Sequence, residues 1–472
     1  MSYDVVIIGA GMSGLAAGIR LAYYEKKVCI LEKHYRLGGL NSFYNLQGRQ
    51  FDVGLHAITN YVKKGTKNAP LSKLFKQLKL KYEDFALREQ KSSAISFPGI
   101  SLCFTNDHSQ FEQEILDKFP SQKDNLQRLC KHISQYDELN LNSKPVSARK
   151  VVSSFISDSL LVEMLFCPLS YYGSAKENDM DFDQFVIMFK SIFLEGFSRP
   201  EGGVRQIINV LLKKYKECGG ELRLKTGVKH IGSRNGKVKS ITLENGDVLE
   251  TKKILSSAGY VETMRLTGEE IQDADVRIGN LSFVETIYVL DRDPAKLGID
   301  KAIIFFNDSE KFLYRKPKDL VDLSSGVICC PNNFCFDSPL KEDMIRITHI
   351  ANFNLWDNLS PEEYRYQKKI WQKKSLEKIC DIVPDFRSSI VFTDMFTPKT
   401  IKRFTGHANG AVYGSPRKTK NGKTPIENLF ICGTDQGFMG IVGAMLSGIS
   451  MANLHVLSRQ GSEISFSLTP AP

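Results

Sequence analysis

Residues 4–14 read Asp4-Val5-Val6-Ile7-Ile8-Gly9-Ala10-Gly11-Met12-Ser13-Gly14. A short apolar run meets three glycines at the spacing of a strand that turns through a loop into a helix. Gly9 permits the tight turn. Gly11 lets a phosphate approach the backbone, and Gly14 lets helix and strand pack closely. The helix start then offers free N–H groups and a positive dipole end to a pyrophosphate. Residues 12–25 carry Leu15, Ala16, Ile19 and Ala22 at helical spacing, and 27–31 form a second apolar strand closed by Glu32. That carboxylate lies roughly 20 residues beyond the glycines, where it accepts hydrogen bonds from a ribose diol and repels a 2′-phosphate.

Around this unit the composition is that of a globular protein. The 472 residues are 42% hydrophobic and 25% charged, enough for two or three domains' worth of core. No segment is read as apolar enough to span a bilayer, and the N-terminus is read as a nucleotide loop rather than a secretory signal. Ten cysteines without a Cys-x-x-Cys pair point to free thiols in a reducing compartment, and the eight histidines show no metal-ligand spacing. The net charge of +10 comes from dispersed basic residues, which read as a solvated basic surface first and an anionic-membrane contact second, with little support for nucleic-acid binding.

Past Glu32, the glycine pair Gly38-Gly39 brings backbone amides near the same ligand, and Phe43–Leu46, Gln47-Gly48 and Arg49–Val53 form a hairpin leading into Phe51-Asp52-Val53-Gly54-Leu55-His56. Residues 71–199 differ in character. Stretches 71–80, 110–119 and 121–136 have helical periodicity, and 94–102 is a hairpin around Pro98-Gly99. Phe182, Phe185, Phe189 and Phe193 recur along one side of a helix, as domain core, as the wall of a long apolar tunnel, or as a bilayer-facing patch. Residues 200–259 return to short strands, with a tight hairpin at Asn245-Gly246 and a strand at 254–259 that rejoins the main sheet. Strands at 281–290, 302–306, 327–330 and 344–350 and a polar helix over 361–382 complete a second unit. Near the end, 428–433 is a strand closed by Gly433. Asp435 follows, suited to a ribitol chain, and a small-residue helix opens at Gly440 whose N-terminus suits the negative charge of a reduced isoalloxazine. One flavin satisfies both ends of the chain.

These motifs resemble the FAD-dependent superfamily of phytoene desaturases, carotenoid isomerases, retinol saturases and flavin amine oxidases. The carriers are Gly9 to Gly14, Glu32, Gly38-Gly39, Pro200-Glu201-Gly202-Gly203, Gly227-Val228, and Gly433-Thr434-Asp435 through Gly443-Ala444. The run from Phe51 to His56 is similar to retinol saturases and carotenoid isomerases, which favours the polyene branch. Many members carry an Arg after the glycine pair, where this chain has Leu40.

The resemblance implies an α/β fold: a Rossmann-like FAD-binding domain of glutathione-reductase-type topology (1–70, 200–275 and 401–472) with an inserted α+β substrate domain (71–199 and 276–400). It implies FAD contacts from Gly9, Gly11, Met12, Ser13, Gly14, Glu32, Lys33, Gly38, Gly39, Leu40, His56, Val228, Gly433, Asp435, Val442 and Ala444. His56 is the candidate catalytic residue, with His407 and Asp435 behind it. The expected function is oxidoreduction at carbon–carbon bonds of a long apolar polyene or isoprenoid, in a tunnel lined by Phe and Met from 150–200 and 280–350. The expected setting is cytoplasmic, on a membrane surface, with an electron partner that the sequence leaves open. The alternatives are an amine oxidase and a prenyl-lipid carrier of the Rab escort and GDP-dissociation-inhibitor kind.

Overall fold

The computed structural model describes residues 2–271 and 273–458. Strand β1 (Ser2–Ile8) turns at the glycine loop into helix α1 (Met12–Tyr23), which leads to strand β2 (Val28–Leu31). β1 lies between two parallel partners, β2 and the strand Val248–Ser256. Val5, Val6 and Ile7 have no exposed surface, as a central parallel strand covered on both faces requires. Glu221–Arg223 extends the sheet beyond β2, and Leu429–Ile431 pairs in parallel with residues 254–256. The antiparallel strands Val228–Arg234 and Lys237–Leu243 form the other edge.

Close backbone approach holds this layer together. A Cβ on Gly14 would lie 2.0 Å from the Gly9 carbonyl oxygen, so only glycine lets α1 sit against the end of β1. A Cβ on Gly448 would lie 2.0 Å from the Ser13 carbonyl oxygen, so helix Gly440–Ala452 needs glycine where it crosses the start of α1. By length and composition, the 18 residues Gly440–Leu457 are apolar enough to cross a membrane, with mean hydropathy 1.5. This corrects the expectation that no segment reaches that length. Ile441, Val442, Met445 and Ile449 share a buried core with α1 residues such as Leu15 and Ile19.

The second sheet runs Ile390–Phe396, Ser282–Leu290, Asp343–Ala351, Ser325–Cys329, Ile303–Asn307, Ser93–Phe97, Ile100–Phe104. It is antiparallel except where Ile303–Asn307 pairs with Ser93–Phe97. Gly99, at φ +73°, turns the last hairpin. The first sheet thus draws on residues 2–31, 221–256 and 429–431, and the second on 93–104 and 282–396. All nine residues of Ser282–Leu290 are buried, a charged Glu285 among them.

Helices His108–Lys118, Lys123–Gln135, Ala148–Phe155, Ser159–Gly173 and Phe182–Phe189 contribute to the core that includes this sheet. The phenylalanine stripe resolves as core. The rings of Phe182, Phe185, Phe189 and Phe193 follow one another at 5.9, 6.0 and 5.2 Å, and none reaches the cavity described next.

Candidate active site: a cavity with a backbone end and a side-chain end

A cavity of about 2130 Å³, counting its open mouth, has walls from both sheets. One end belongs to the first sheet. Gly9, Gly11, Met12, Ser13, Glu32, Lys33, Gly38, Gly39, Leu40 and Val228 line it. Gly9 turns at φ +94°, in the left-handed region that favours glycine. A Cβ on Gly11 would meet nothing within 4 Å, so the backbone there faces open space. No side chain caps the α1 N-terminus, leaving N–H groups that need a partner from outside the helix. Gly14 lies off the cavity, where it serves packing.

Glu32 is buried and fixed. Its Oε2 accepts from the Ala10 N–H at 2.8 Å and its Oε1 from the His34 N–H at 2.9 Å. A carboxylate has about four acceptor sites, so lone pairs remain for a ribose diol. Lys33 makes no ion pair among the described residues, and its Nζ lies 3.0 Å from where a Cβ on Gly406 would be. With Leu40 uncharged, Lys33 is the ammonium on this stretch of wall. His407 and Glu262 face the same cavity, with Nδ1 to Oε2 at 3.7 Å and Oε1 accepting from the Ala408 N–H at 2.6 Å. Burial pulls the His407 pKa down, but the bond and charge of Glu262 outweigh it and the pKa is raised. Burial likewise pushes Glu262 up, yet His407 and backbone amides bring it below its ordinary value.

The C-terminal segment departs from expectation. Thr434, Gly440, Ile441 and Ala444 reach the cavity; Gly433, Asp435 and Val442 do not line it. The Gly433 N–H donates to Ser447 Oγ at 2.7 Å. Asp435, expected at a ribitol, is 2% exposed and joins the start of helix Tyr260–Thr267 to the loop at Ser415. Its Oδ2 accepts from the Tyr260 N–H and its Oδ1 from the Ser415 N–H, both at 2.7 Å.

The other end is made of side chains. His56 lines the cavity with Glu285 and Thr348. Its Nε2 lies 3.1 Å from Glu285 Oε2 and 3.2 Å from Thr348 Oγ1. Arg346 Nε donates to Glu285 Oε1 at 2.6 Å, and its Nη1 and Nη2 donate to the carbonyls of Leu55 and Val53. Arg199 donates to the carbonyls of Leu55 and His56 at 2.8 and 2.9 Å and to Asp52 Oδ2 at 2.7 Å. Asp52 in turn accepts from the Val204 N–H at a helix start. Two buried guanidiniums therefore clamp residues 53–56, and two buried carboxylates balance them. Burial pushes Glu285 up, but Arg346 and His56 outweigh it and hold the pKa below its ordinary value.

Asp52 stood in the stretch quoted around His56; Glu285, Arg346, Thr348 and Arg199 were not anticipated. Two of them carry a signal, a charge inside an apolar strand, Glu285 in 282–290 and Arg346 in 343–351; Thr348 and Arg199 carry none. From 150–200 and 280–350 the cavity receives Tyr171, Tyr172, Phe283, Glu285, Val327 and Thr348 rather than a run of Phe and Met.

A sheet with parallel central strands, a glycine loop, an uncapped helix start and a fixed carboxylate at the end of β2 defines a dinucleotide-binding fold of the flavoprotein kind. The chain belongs to the family of flavin containing amine oxidoreductases, which it matches over residues 12–454. It is an FAD-dependent oxidoreductase. The chain is 25% identical to the chloroplastic prolycopene isomerase of Arabidopsis thaliana over 500 residues, covering 96% of this chain and 82% of that one. It is 22% identical to the all-trans-retinol 13,14-reductase of Danio rerio over 542 residues, covering 98% and 88%. Among solved structures, an oxidoreductase from Methanosarcina mazei superposes with TM-score 0.65 at 16% identity, covering 95% and 99%.

Proposed function

We propose that the protein acts on carbon–carbon bonds of a long apolar polyene or isoprenoid lipid, by desaturation, saturation or isomerisation. The observation that carries this reading is likeness along almost the whole chain to two relatives named for polyene substrates. Bound FAD supplies hydride exchange with a substrate carbon. Gly11, the α1 N-terminus and Lys33 would hold its diphosphate, Glu32 its adenosine ribose, and Val228 its adenine. Tyr171, Phe283, Val327, Phe396 and Val412 form an apolar wall on which a polyene buries surface at about 25 cal/mol per Å². The wall sheds water, and His56 is placed to exchange a proton there. The second sheet and its helices are read as the inserted substrate domain, working on a membrane surface exposed to the cytoplasm.

The test is an anaerobic absorbance spectrum of the purified protein with a lycopene-type or retinol-type polyene in lipid. Bleaching of the flavin bands on polyene addition marks a desaturase. Change in the polyene only after chemical reduction of the protein marks a saturase or isomerase. If neither polyene changes in the oxidised or the reduced protein, the substrate class is wrong.

A further inference from the structure

We propose that Glu285 is a positioning residue that fixes the tautomer of His56, so that Nδ1 is the nitrogen that exchanges a proton with the substrate. The proposal rests on the polyene reading for its substrate and on geometry for the rest. Glu285 and Arg346 are 5% and 1% exposed at their side chains. A carboxylate in contact with a buried guanidinium stays ionised and only accepts hydrogen bonds. His56 Nε2, at 3.1 Å, must then be the donor. Thr348 Oγ1 lies 3.2 Å from both Nε2 and Glu285 Oε2, where its hydroxyl donates to the carboxylate and its oxygen accepts from the ring.

Nδ1 is left as the free nitrogen. It has no hydrogen-bond partner among the described residues and is not among their sealed, unpartnered atoms, so it keeps open surface on a residue that lines the cavity. Neutral His56 thus presents a lone pair at Nδ1, and protonated His56 an N–H. Two arginines hold the backbone of 53–56 but not the ring. The ring's hydrogen-bond partners are Glu285 and Thr348, and the Tyr172 ring lies 6.5 Å from it.

In the reducing direction a double bond takes a hydride at one carbon. Its π pair then forms the second C–H bond with the proton of Nδ1–H, and the N–H pair stays on Nδ1. The substrate gains two electrons, which a quinol or reduced nicotinamide ultimately supplies, and water returns the proton to His56. Oxidation runs the same atoms backward, with Nδ1 as base.

Two readouts test this. In protein labelled with ¹⁵N-histidine, the neutral His56 signal is expected as the Nε2–H tautomer. Glu285→Gln places an amide N–H₂ within reach of the ring and is expected to shift the signal toward Nδ1–H. The same variant is expected to lose about 10²-fold in kcat with KM nearly constant and to move the pH profile, and Glu285→Asp should recover part of the loss. His56→Gln leaves the Glu285–Arg346 pair intact and is expected to lose about 10²–10⁴-fold in kcat; it carries the kinetic arm should Glu285→Gln not fold. An unchanged tautomer and pH profile in Glu285→Gln, or full kcat in His56→Gln, overturns the proposal. If wild-type protein leaves polyenes untouched, the substrate reading fails, while the tautomer measurement still decides the role of Glu285.

Discussion

At the glycine-loop end of the cavity, a ligand meets backbone N–H groups with Glu32 and Lys33, all from within residues 9–39, and the His407–Glu262 pair beside them. At the His56 end it meets a ring held by Thr348 and by Glu285, which in turn pairs with Arg346, with Arg199 and Asp52 behind the loop. The first end offers a ligand backbone dipoles that no side-chain change removes. The second holds ionised groups away from water and depends on each charge keeping its partner. Backbone sites are robust to most substitutions but sensitive to any added atom. Side-chain clusters tolerate shape changes poorly and charge changes worst.

The largest effect follows from the second plan. Arg346→Met removes the cation beside Glu285 and two donors to the carbonyls of Val53 and Leu55. Breaking a buried pair from one side costs about 3–5 kcal/mol. Denaturant unfolding is expected to show a loss of that order in the apoprotein. A loss under about 1 kcal/mol would mean that the cluster is hydrated and the contrast between the ends is weaker than drawn.

The first plan is probed by two glycines three residues apart. In Gly14→Ala the new Cβ meets the Gly9 carbonyl at 2.0 Å, with backbone on both sides of the clash. The expected cost is at the upper end of the roughly 1–3 kcal/mol typical of overpacking, with FAD lost as the loop shifts. In Gly11→Ala the new Cβ meets nothing, so apoprotein stability should stay within about 0.5 kcal/mol while FAD affinity falls at least about tenfold. Thermal unfolding and the flavin-to-protein absorbance ratio separate the two. If Gly11→Ala unfolds the protein and Gly14→Ala only loses flavin, the assigned roles are reversed.

The same contrast decides what was legible in the sequence. The unit β1–α1–β2 is local, and its glycines carry their reasons in their spacing. The helix expected at 121–136 is found at Lys123–Gln135, and the strand expected at 344–350 at Asp343–Ala351. Pro98-Gly99 turns its hairpin. Asp435 shows where this stops. A carboxylate after a strand-ending glycine reads the same whether it faces a ligand or, as here, the N–H groups of Tyr260 and Ser415, which are 175 and 20 residues away. Glu285 and Arg346 are 61 residues apart, and their register on adjacent strands is a property of the whole sheet. A charge inside an apolar strand marks each as unusual, but periodicity says nothing about its partner.

The smallest effect places a titrating side-chain pair at the backbone end. His407 has a raised pKa, so its charged form stabilises the fold fully below its ordinary 6.5, and the contribution fades as pH rises through the raised value. Glu262 has a lowered pKa, so its contribution is present above its ordinary 4.5 and is lost as pH falls through the lowered value. The pair is therefore complete between 4.5 and 6.5. Asp435 supports the His407 charge and Lys418 opposes it. Thermal unfolding across pH 5 to 9, for wild type and His407→Asn, is expected to differ by about 1 kcal/mol at the acid end, the scale of one hydrogen bond, and to converge in alkali. Flavin should dissociate more readily from wild type over the same rise, because a cation facing the cavity is discharged. A difference that grows with pH would show that His407 is held neutral. Lys33 and the helix dipole would then face the diphosphate unaided, and the glycine-loop end would be the purely backbone-built site that its sequence suggests.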